Sequence, residues 1–271
     1  MENHMIYGAT NNPFRPLPDE IKTFAALGFD YLELCLDPPN GLPDILRPKL
    51  SEIRSVLASE GLGLPVVHLP VFVSLADIYP SVREASLNEM FKALDLAAEI
   101  GAKKAVLHPG YLTGLMNLTP DIGKRYASES MDRILEKAVG YAITVCLENL
   151  FYFAGHMYRP EEFVEVLNRD PALMMTLDLA HANIRAPKGQ AEAFVRIAHG
   201  RIGHVHVGDN NGQKDDHLPV GAGRVDVAGG LAAVKASGYD QTITIEVFSP
   251  DRDYLAMSLK KVKAIWESAG L

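Results

Sequence analysis

The sequence predicts an α/β protein folded as a single (β/α)8 barrel, one domain over residues 1–271, and three observations carry that expectation. Short apolar runs of strand character alternate with longer stretches of helical periodicity, and sustained alternation of that kind builds a parallel sheet. Proline–acid pairs open several helical stretches and glycines follow their ends. The strand-like runs also finish, one after another, on side chains able to bind metal: His68, His108, Glu148, Asp178, His206 and Glu246. A parallel barrel delivers the last inward-facing residue of each strand to one rim, so the series favours closure over an open doubly wound sheet.

The elements follow in order. The first strand is Ile6 to Ala9; Pro18-Asp19-Glu20 then starts a helical stretch, Glu20 to Leu27, that stops at Gly28. Tyr31 to Leu36 precedes Lys49 to Glu60, closed by Gly61, and Leu64 to Leu69 precedes Ser81 to Ile100, closed by Gly101. Ala105 to His108 is followed by Ser128 to Val139, with Pro120-Asp121 as a helix start ahead of it and Gly140 behind. Thr144 to Glu148 precedes Glu161 to Asn168, which opens on Pro160, and Met174 to Leu179 precedes Ala191 to Ala198, followed by Gly200. Ile202 to Val207 precedes Val227 to Ser237 and Gly238; Thr242 to Val247 precedes Tyr254 to Ala269, with Pro250-Asp251 before it and Gly270 after. No Gly-x-Gly-x-x-Gly follows the first strand. Gly221-Ala222-Gly223 lacks the strand-to-helix setting of a dinucleotide loop and reads as a turn.

Composition narrows the partners. A net charge of −8 and a pI near 5.6 argue against a protein held on nucleic acid by unspecific phosphate contacts. No apolar run approaches the roughly 20 residues that span a bilayer, and the opening Met-Glu-Asn-His lacks the plan of a signal peptide. A soluble, cytoplasmic protein without a membrane partner is expected. Cys35 and Cys146 lie inside strand-like runs and read as buried reduced thiols, with Cys146 one layer below Glu148 and without a catalytic role.

Carboxylates and imidazoles together suit zinc, manganese, iron or cobalt better than calcium or magnesium alone, because nitrogen ligands favour the borderline metals. Further candidates sit just past strand ends: His181, and the pair Asp215 and His217, which a tight turn at Asn210-Asn211-Gly212 could bring to one ion. A lone histidine at a strand end is more often a rim residue bonded to its neighbours than a ligand. Here five of the nine histidines and four acids share that placement, and so much unpaired charge would be costly to bury. His204 has the same parity as His206 and competes for its place; His206, nearer the carboxyl end, is preferred. His4, His156 and His199 read as surface or helix-flank residues.

These residues give the chain a resemblance to the xylose-isomerase-like TIM barrels, a group of sugar isomerases, ketose 3-epimerases, inosose-processing enzymes and endonuclease IV. The pieces that carry it are Leu-Glu-Asn-Leu at 147–150, Leu-Asp-Leu-Ala-His at 177–181, His-Val-His-Val-Gly-Asp-Asn at 204–210, Asp-His-Leu-Pro-Val-Gly-Ala-Gly at 216–223 and Ile-Glu-Val at 245–247. In the isomerase and epimerase branch the resemblance implies one divalent metal on Glu148, Asp178, His206 and Glu246, with both glutamates also serving as acid and base. In the endonuclease IV branch it implies three zinc ions: one on His68, His108 and Glu148, a second on Glu148, Asp178, His206 and Glu246, a third on His181, Asp215 and His217. His-Pro-Gly at 108–110 also resembles the repair enzyme.

The leading expectation is a metal-dependent sugar or polyol isomerase or epimerase of carbohydrate metabolism that works through an enediolate. Its catalytic residues are Glu148, Glu246 and His181; its cofactor is a divalent metal (Zn, Mn, Co, Fe or Mg), one ion and up to three. Phe14, Tyr111, Phe151 and Phe153 are candidates for shielding the intermediate, under an apolar lid from Leu150 to Ala154. The alternative is a di- or tri-metal phosphodiesterase acting on abasic DNA or another phosphoester, and a third possibility is a metal- or small-ligand-binding barrel without catalysis. The bases of the βα loops, Arg15, Arg159, Arg185, Lys188, Lys214 and Arg224, are scattered and form no stripe that would follow successive phosphates. A small sugar or polyol is the expected partner; nucleic acid is disfavoured and homo-oligomerisation is open.

Overall fold

The computed structural model describes residues 5–198 and 200–269, so His4 and His199 lie outside the described residues. Eight parallel strands close in sequence order into a barrel: β1 (Ile6–Thr10), β2 (Tyr31–Cys35), β3 (Gly63–His68), β4 (Lys104–Leu107), β5 (Thr144–Glu148), β6 (Met174–Asp178), β7 (Ile202–Val207) and β8 (Thr242–Ile245). Closure is made by β8 against β1, from Ile6 beside Thr242 to Ala9 beside Ile245. Helices α1 (Leu17–Ala26), α2 (Pro43–Leu46), α3 (Leu50–Glu60), α4 (Pro80–Ile100), α5 (Pro120–Val139), α6 (Pro160–Arg169), α7 (Gln190–Ala198), α8 (Val227–Ala236) and α9 (Asp253–Ser268) occupy the connections. No described helix is long and apolar enough to cross a membrane.

Several limits move. Helix α5 starts at Pro120 and passes through Gly123, whose missing side chain is required: a Cβ there would come within 2.7 Å of Leu112 Cδ2. Gly61 and Gly101 end α3 and α4 in the left-handed conformation, whereas Gly140 does not, and Ala142 takes the positive φ in its stead. Helix α9 begins at Asp253, beyond Pro250-Asp251. The four-residue α2 is too short to show a period.

Strand parity sorts two surfaces. Ala9, Leu32, Leu34, Val67, Leu107, Leu147, Leu177, Val205, Val207 and Ile245 belong to one continuous apolar core with the helices. The alternate positions face the barrel axis, where Tyr31, Val66 and Val106 form a small cluster of their own and Glu33, His204 and Thr244 are fully buried. Tyr31 fits because residue 8 is glycine: a Cβ on Gly8 would lie 2.2 Å from the Tyr31 ring. Gly8→Ala is therefore expected to destabilise the protein by about 1–3 kcal/mol through overpacking. Urea unfolding checks this, and an unchanged midpoint would mean the ring moves aside freely. Cys35 and Cys146 are buried and unpaired, and burial pushes the Cys146 thiol up to about 12.

Candidate metal centre

At the carboxyl ends of the strands the inward parity becomes charged. Asp178 and His206 are direct partners in the β6–β7 ladder, so their side chains emerge together. Nδ1 of His206 stands 3.3 Å from Glu148 Oε1, 3.6 Å from Glu246 Oε1 and 3.8 Å from Asp178 Oδ2. The sequence-derived set of Glu148, Asp178, His206 and Glu246 thus converges on one space, although Glu246 and His108 lie one residue past the ends of their strands. Asn149 fixes the neighbouring backbone: Asp178 N–H donates to its Oδ1 (2.8 Å) and its Nδ2 donates to Asp178 O (2.9 Å).

The remaining candidates surround this set. His68 Nε2 and His108 Nε2 lie 3.3 and 3.0 Å from Glu148 Oε2. His181 Nδ1 is 3.2 Å from Glu148 Oε1, and its Nε2 is 3.3 Å from Asp215 Oδ2, which also meets His217 Nε2 at 2.8 Å. The loop that carries Asp215 and His217 is tied down by Asp209, whose carboxylate accepts the N–H groups of Gly221, Gly223 and Val225. Gly221-Ala222-Gly223 is the turn it reads as. His217 adopts a φ of 46° and packs against Phe248, ring centroids 4.5 Å apart and planes tilted by 56°.

The donor set fits a cation. Ligand atoms of Glu148, Asp178 and His206 lie within 4.8 Å of one another, as do those of His68, His108 and Glu148, and those of His68, His206 and Glu246. Nδ1 of His68 and Nδ1 of His181 lie 2.9 Å from backbone oxygens, Leu69 O and Asn149 O, the second nitrogen also facing Glu148. A neutral ring that donates there turns its lone pair inward, the arrangement of metal-ligating histidines. Asp215 Oδ1 is buried without a hydrogen-bond partner, an oxygen placed to receive a cation or a donor.

Electrostatics agree. Burial opposes ionisation of Glu148, but His206, His108 and His181 outweigh it and hold that carboxyl well below the usual range. Asp178 goes the other way: burial, with the charges of Glu148 and Glu246, lifts it to about 7 against the pull of His181 and His206. Burial disfavours charge on His181 and His206 too, yet Asp178 and Asp215 for the first, and Glu246, Glu33 and Glu148 for the second, hold both well above the histidine range. Without a cation, protons offset the crowded carboxylates.

Over the site lies a cavity of about 460 Å3 lined by Phe14, Val71, Phe72, Tyr111, Phe151 and Phe248 as well as by the charged cluster. No lysine or arginine is among the described residues that line it. The apolar cover departs from the expected Leu150–Ala154 lid. Only Phe151 of that stretch lines the cavity; Leu150 and Ala154 are buried, and Phe153 lies under the Arg185 guanidinium, 4.4 Å away. Phe72 and Phe248, from the loops after β3 and β8, supply the cover instead, and lone aromatics in loops carry no period to announce them.

Two further corrections concern charge. His156, expected at the surface, is buried and its Nε2 is 2.7 Å from Gly110 O, because the loop after β5 folds back over the loop after β4. Glu33 was missed. It sits in the middle of β2, fully buried, and touches both His204 and His206; His204 accordingly sits one tier below the site. The signal was present: an acid at inward parity inside the run Tyr31-Leu32-Glu33-Leu34-Cys35 must have a buried partner.

A closed barrel with buried carboxylates and imidazoles gathered at the carboxyl ends of its strands defines a class of proteins with a metal-capable rim. The sequence profile of the xylose isomerase-like TIM barrels matches residues 21–266, and the chain belongs to that family. The chain is 30% identical over 256 residues to the uncharacterized protein MJ1311 of Methanocaldococcus jannaschii, covering 89% of this chain and 83% of the relative. It is 26% identical to the L-ribulose 3-epimerase of Mesorhizobium japonicum (89% and 78% covered). It is 25% identical to the probable endonuclease 4 of Natronomonas pharaonis (84% and 85% covered). Among solved structures, a D-tagatose 3-epimerase-like protein superimposes with a TM-score of 0.85 at 27% identity, 97% of each chain covered. The homologues thus include sugar epimerases.

Proposed function

We propose that the protein is a metal-dependent epimerase or isomerase of a small unphosphorylated ketose or related polyol. The observation that carries this is the convergence of Glu148, Glu246, Asp178 and His206 beneath an apolar cavity without a lysine or arginine in its described lining. The four would hold one divalent cation, which when bound polarises a carbonyl oxygen and stabilises negative charge beside it. Glu148 and Glu246 reach the space from strands three apart around the barrel, so one takes a proton from the carbon next to the carbonyl and the other returns one to the opposite face of the enediolate.

Their surroundings divide the work. Glu148 is beset by imidazoles on both oxygens and is mainly a ligand. Glu246 accepts one hydroxyl, Thr10 Oγ1 at 3.1 Å, and is the freer base. His181 faces substrate oxygens, where it orients or protonates one. Phe14, Phe72 and Phe248 stand exposed around the mouth and, with Phe151, would exclude water from the intermediate once a substrate fills the cavity. Of the loop bases, Arg15 turns toward Pro250 O and Arg185 lies on Phe153, and no lysine or arginine is in the described lining, which leaves a phosphate on the substrate without a counter-charge there.

A second possibility, a metal-cluster phosphodiesterase, is favoured by one observation: His68 and His108, and His181, Asp215 and His217, complete the nine positions of a three-ion site. One experiment separates the two. Incubation in D2O with free ketoses and ketose phosphates is expected to place deuterium next to the carbonyl of a free ketose. Exchange confined to phosphorylated sugars would overturn the unphosphorylated substrate, and cleavage of an abasic-site duplex with no exchange in any sugar would replace the epimerase by the phosphodiesterase.

A further inference from the structure

Below the rim, a hydrogen-bonded column crosses the barrel interior. Thr244 Oγ1 donates to Glu33 Oε2 at 2.6 Å, His204 Nε2 meets the same oxygen at 2.8 Å, and His206 Nε2 meets Oε1 at 3.1 Å. All four residues are fully buried. The direction of each bond can be worked out from the bottom upward. Thr244 spends its one hydrogen on Glu33, so the Tyr31 hydroxyl, 2.7 Å away, donates to Thr244. His204 donates from Nε2 to Glu33, so its Nδ1 accepts from the Thr242 hydroxyl at 2.7 Å. Glu33 has donors on every side and no hydrogen-bond acceptor in contact, and an ionised carboxylate only accepts.

We propose that Glu33 is a positioning residue that fixes the tautomer of His206, holding the proton on Nε2 so that Nδ1 presents its lone pair to the space bounded by Glu148, Asp178 and Glu246. This rests on the metal-dependent reading of the rim. The partner also sets ligand strength. The outer nitrogen of His68 faces a neutral backbone carbonyl, whereas that of His206 faces a carboxylate, and a charged acceptor makes the ring a better electron donor at its far nitrogen. Glu33 achieves this without facing the cavity, whose described lining does not include it, so it touches no substrate. The further bonds from Thr244 and His204, both to Oε2, hold the carboxylate on the axis, where His206 Nε2 lies 3.1 and 3.3 Å from its two oxygens.

The test uses Glu33→Gln, which keeps the volume and removes the charge, and Mn2+ alone as the probe. The expected result is a loss of Mn2+ affinity of about tenfold to a hundredfold, with the metal-free protein folded but its thermal midpoint lowered, because the new amide NH2 meets only donors. Histidine-selective 15N spectra of the Zn2+-loaded wild-type protein are expected to show His206 protonated at Nε2, and this needs no variant to fold. A folded Glu33→Gln protein with wild-type Mn2+ affinity, or a wild-type spectrum with the proton on Nδ1, overturns the role of Glu33 and leaves the metal reading intact. A wild-type protein that takes up no divalent cation overturns both.

Discussion

Glu246→Gln is expected to abolish turnover, with a loss of about a thousandfold or more, while the barrel remains folded. The substitution keeps shape and can preserve the bond from Thr10 Oγ1, the hydroxyl that now holds Glu246 Oε1. It removes the proton acceptor, and general-base contributions of that kind are typically worth 10²–10⁴-fold, to which a lost ligand charge adds. The loss should fall on the rate of deuterium exchange more than on substrate binding, since the role proposed for Glu246 is at the reacting carbon. Metal content, thermal midpoint and exchange rate measured on one preparation decide the matter. Wild-type exchange at unchanged metal content would remove Glu246 from the mechanism.

Removal of divalent metal with a chelator is expected to bring exchange below detection, and one equivalent of Mn2+ or Co2+ per chain to restore it. The metal affinity should also depend on pH with a definite sign. In the cation-free protein the Asp178 carboxyl is held at about 7 by burial and by its acidic neighbours, far above the ordinary value near 4. Below that pH the group keeps its proton, and a cation must displace it; above it that competition ends. The raised imidazoles of His181 and His206 act in the same direction. Affinity therefore rises with pH through neutrality, by up to about tenfold per unit for each proton displaced. Titration calorimetry in buffers of different ionisation enthalpy counts the protons. A flat profile with no proton release would take Asp178 out of the ligand set.

The sequence made the rim visible and the interior opaque, for physical reasons. His68, His108, Glu148, Asp178, His206 and Glu246 could be found because each interrupts an apolar run at the place where a parallel strand leaves the barrel. His181, Asp215 and His217 were reachable by their nearness to such ends, although only the fold shows that Asp209 ties down the loop of Asp215 and His217. Glu33 escaped because its position mid-strand resembles a packing position, and what identifies it, contact with β7 and β8 across the axis, involves residues more than 170 positions away. His156 failed for a related reason: its burial depends on two loops meeting, which neither loop's own pattern encodes. Phe72 and Phe248 likewise belong to the cavity through loop geometry alone, while the four-residue Pro43–Leu46 helix is shorter than the window in which a period can be read.

The polar column on the barrel axis also bears on how such a chain can change over generations. Barrel interiors are ordinarily filled with branched aliphatics, which drift one residue at a time because a neighbour can take up a methyl group. Tyr31, Glu33, His204 and Thr244 allow no such steps. Replacing any one of them leaves a buried polar partner unmet in a dry interior, and only a joint exchange of the group for apolar residues of matching shape escapes that cost. The column is therefore expected to change as a block or not at all: a variant with exchanged loops and another substrate meets the same cost at each of these four positions.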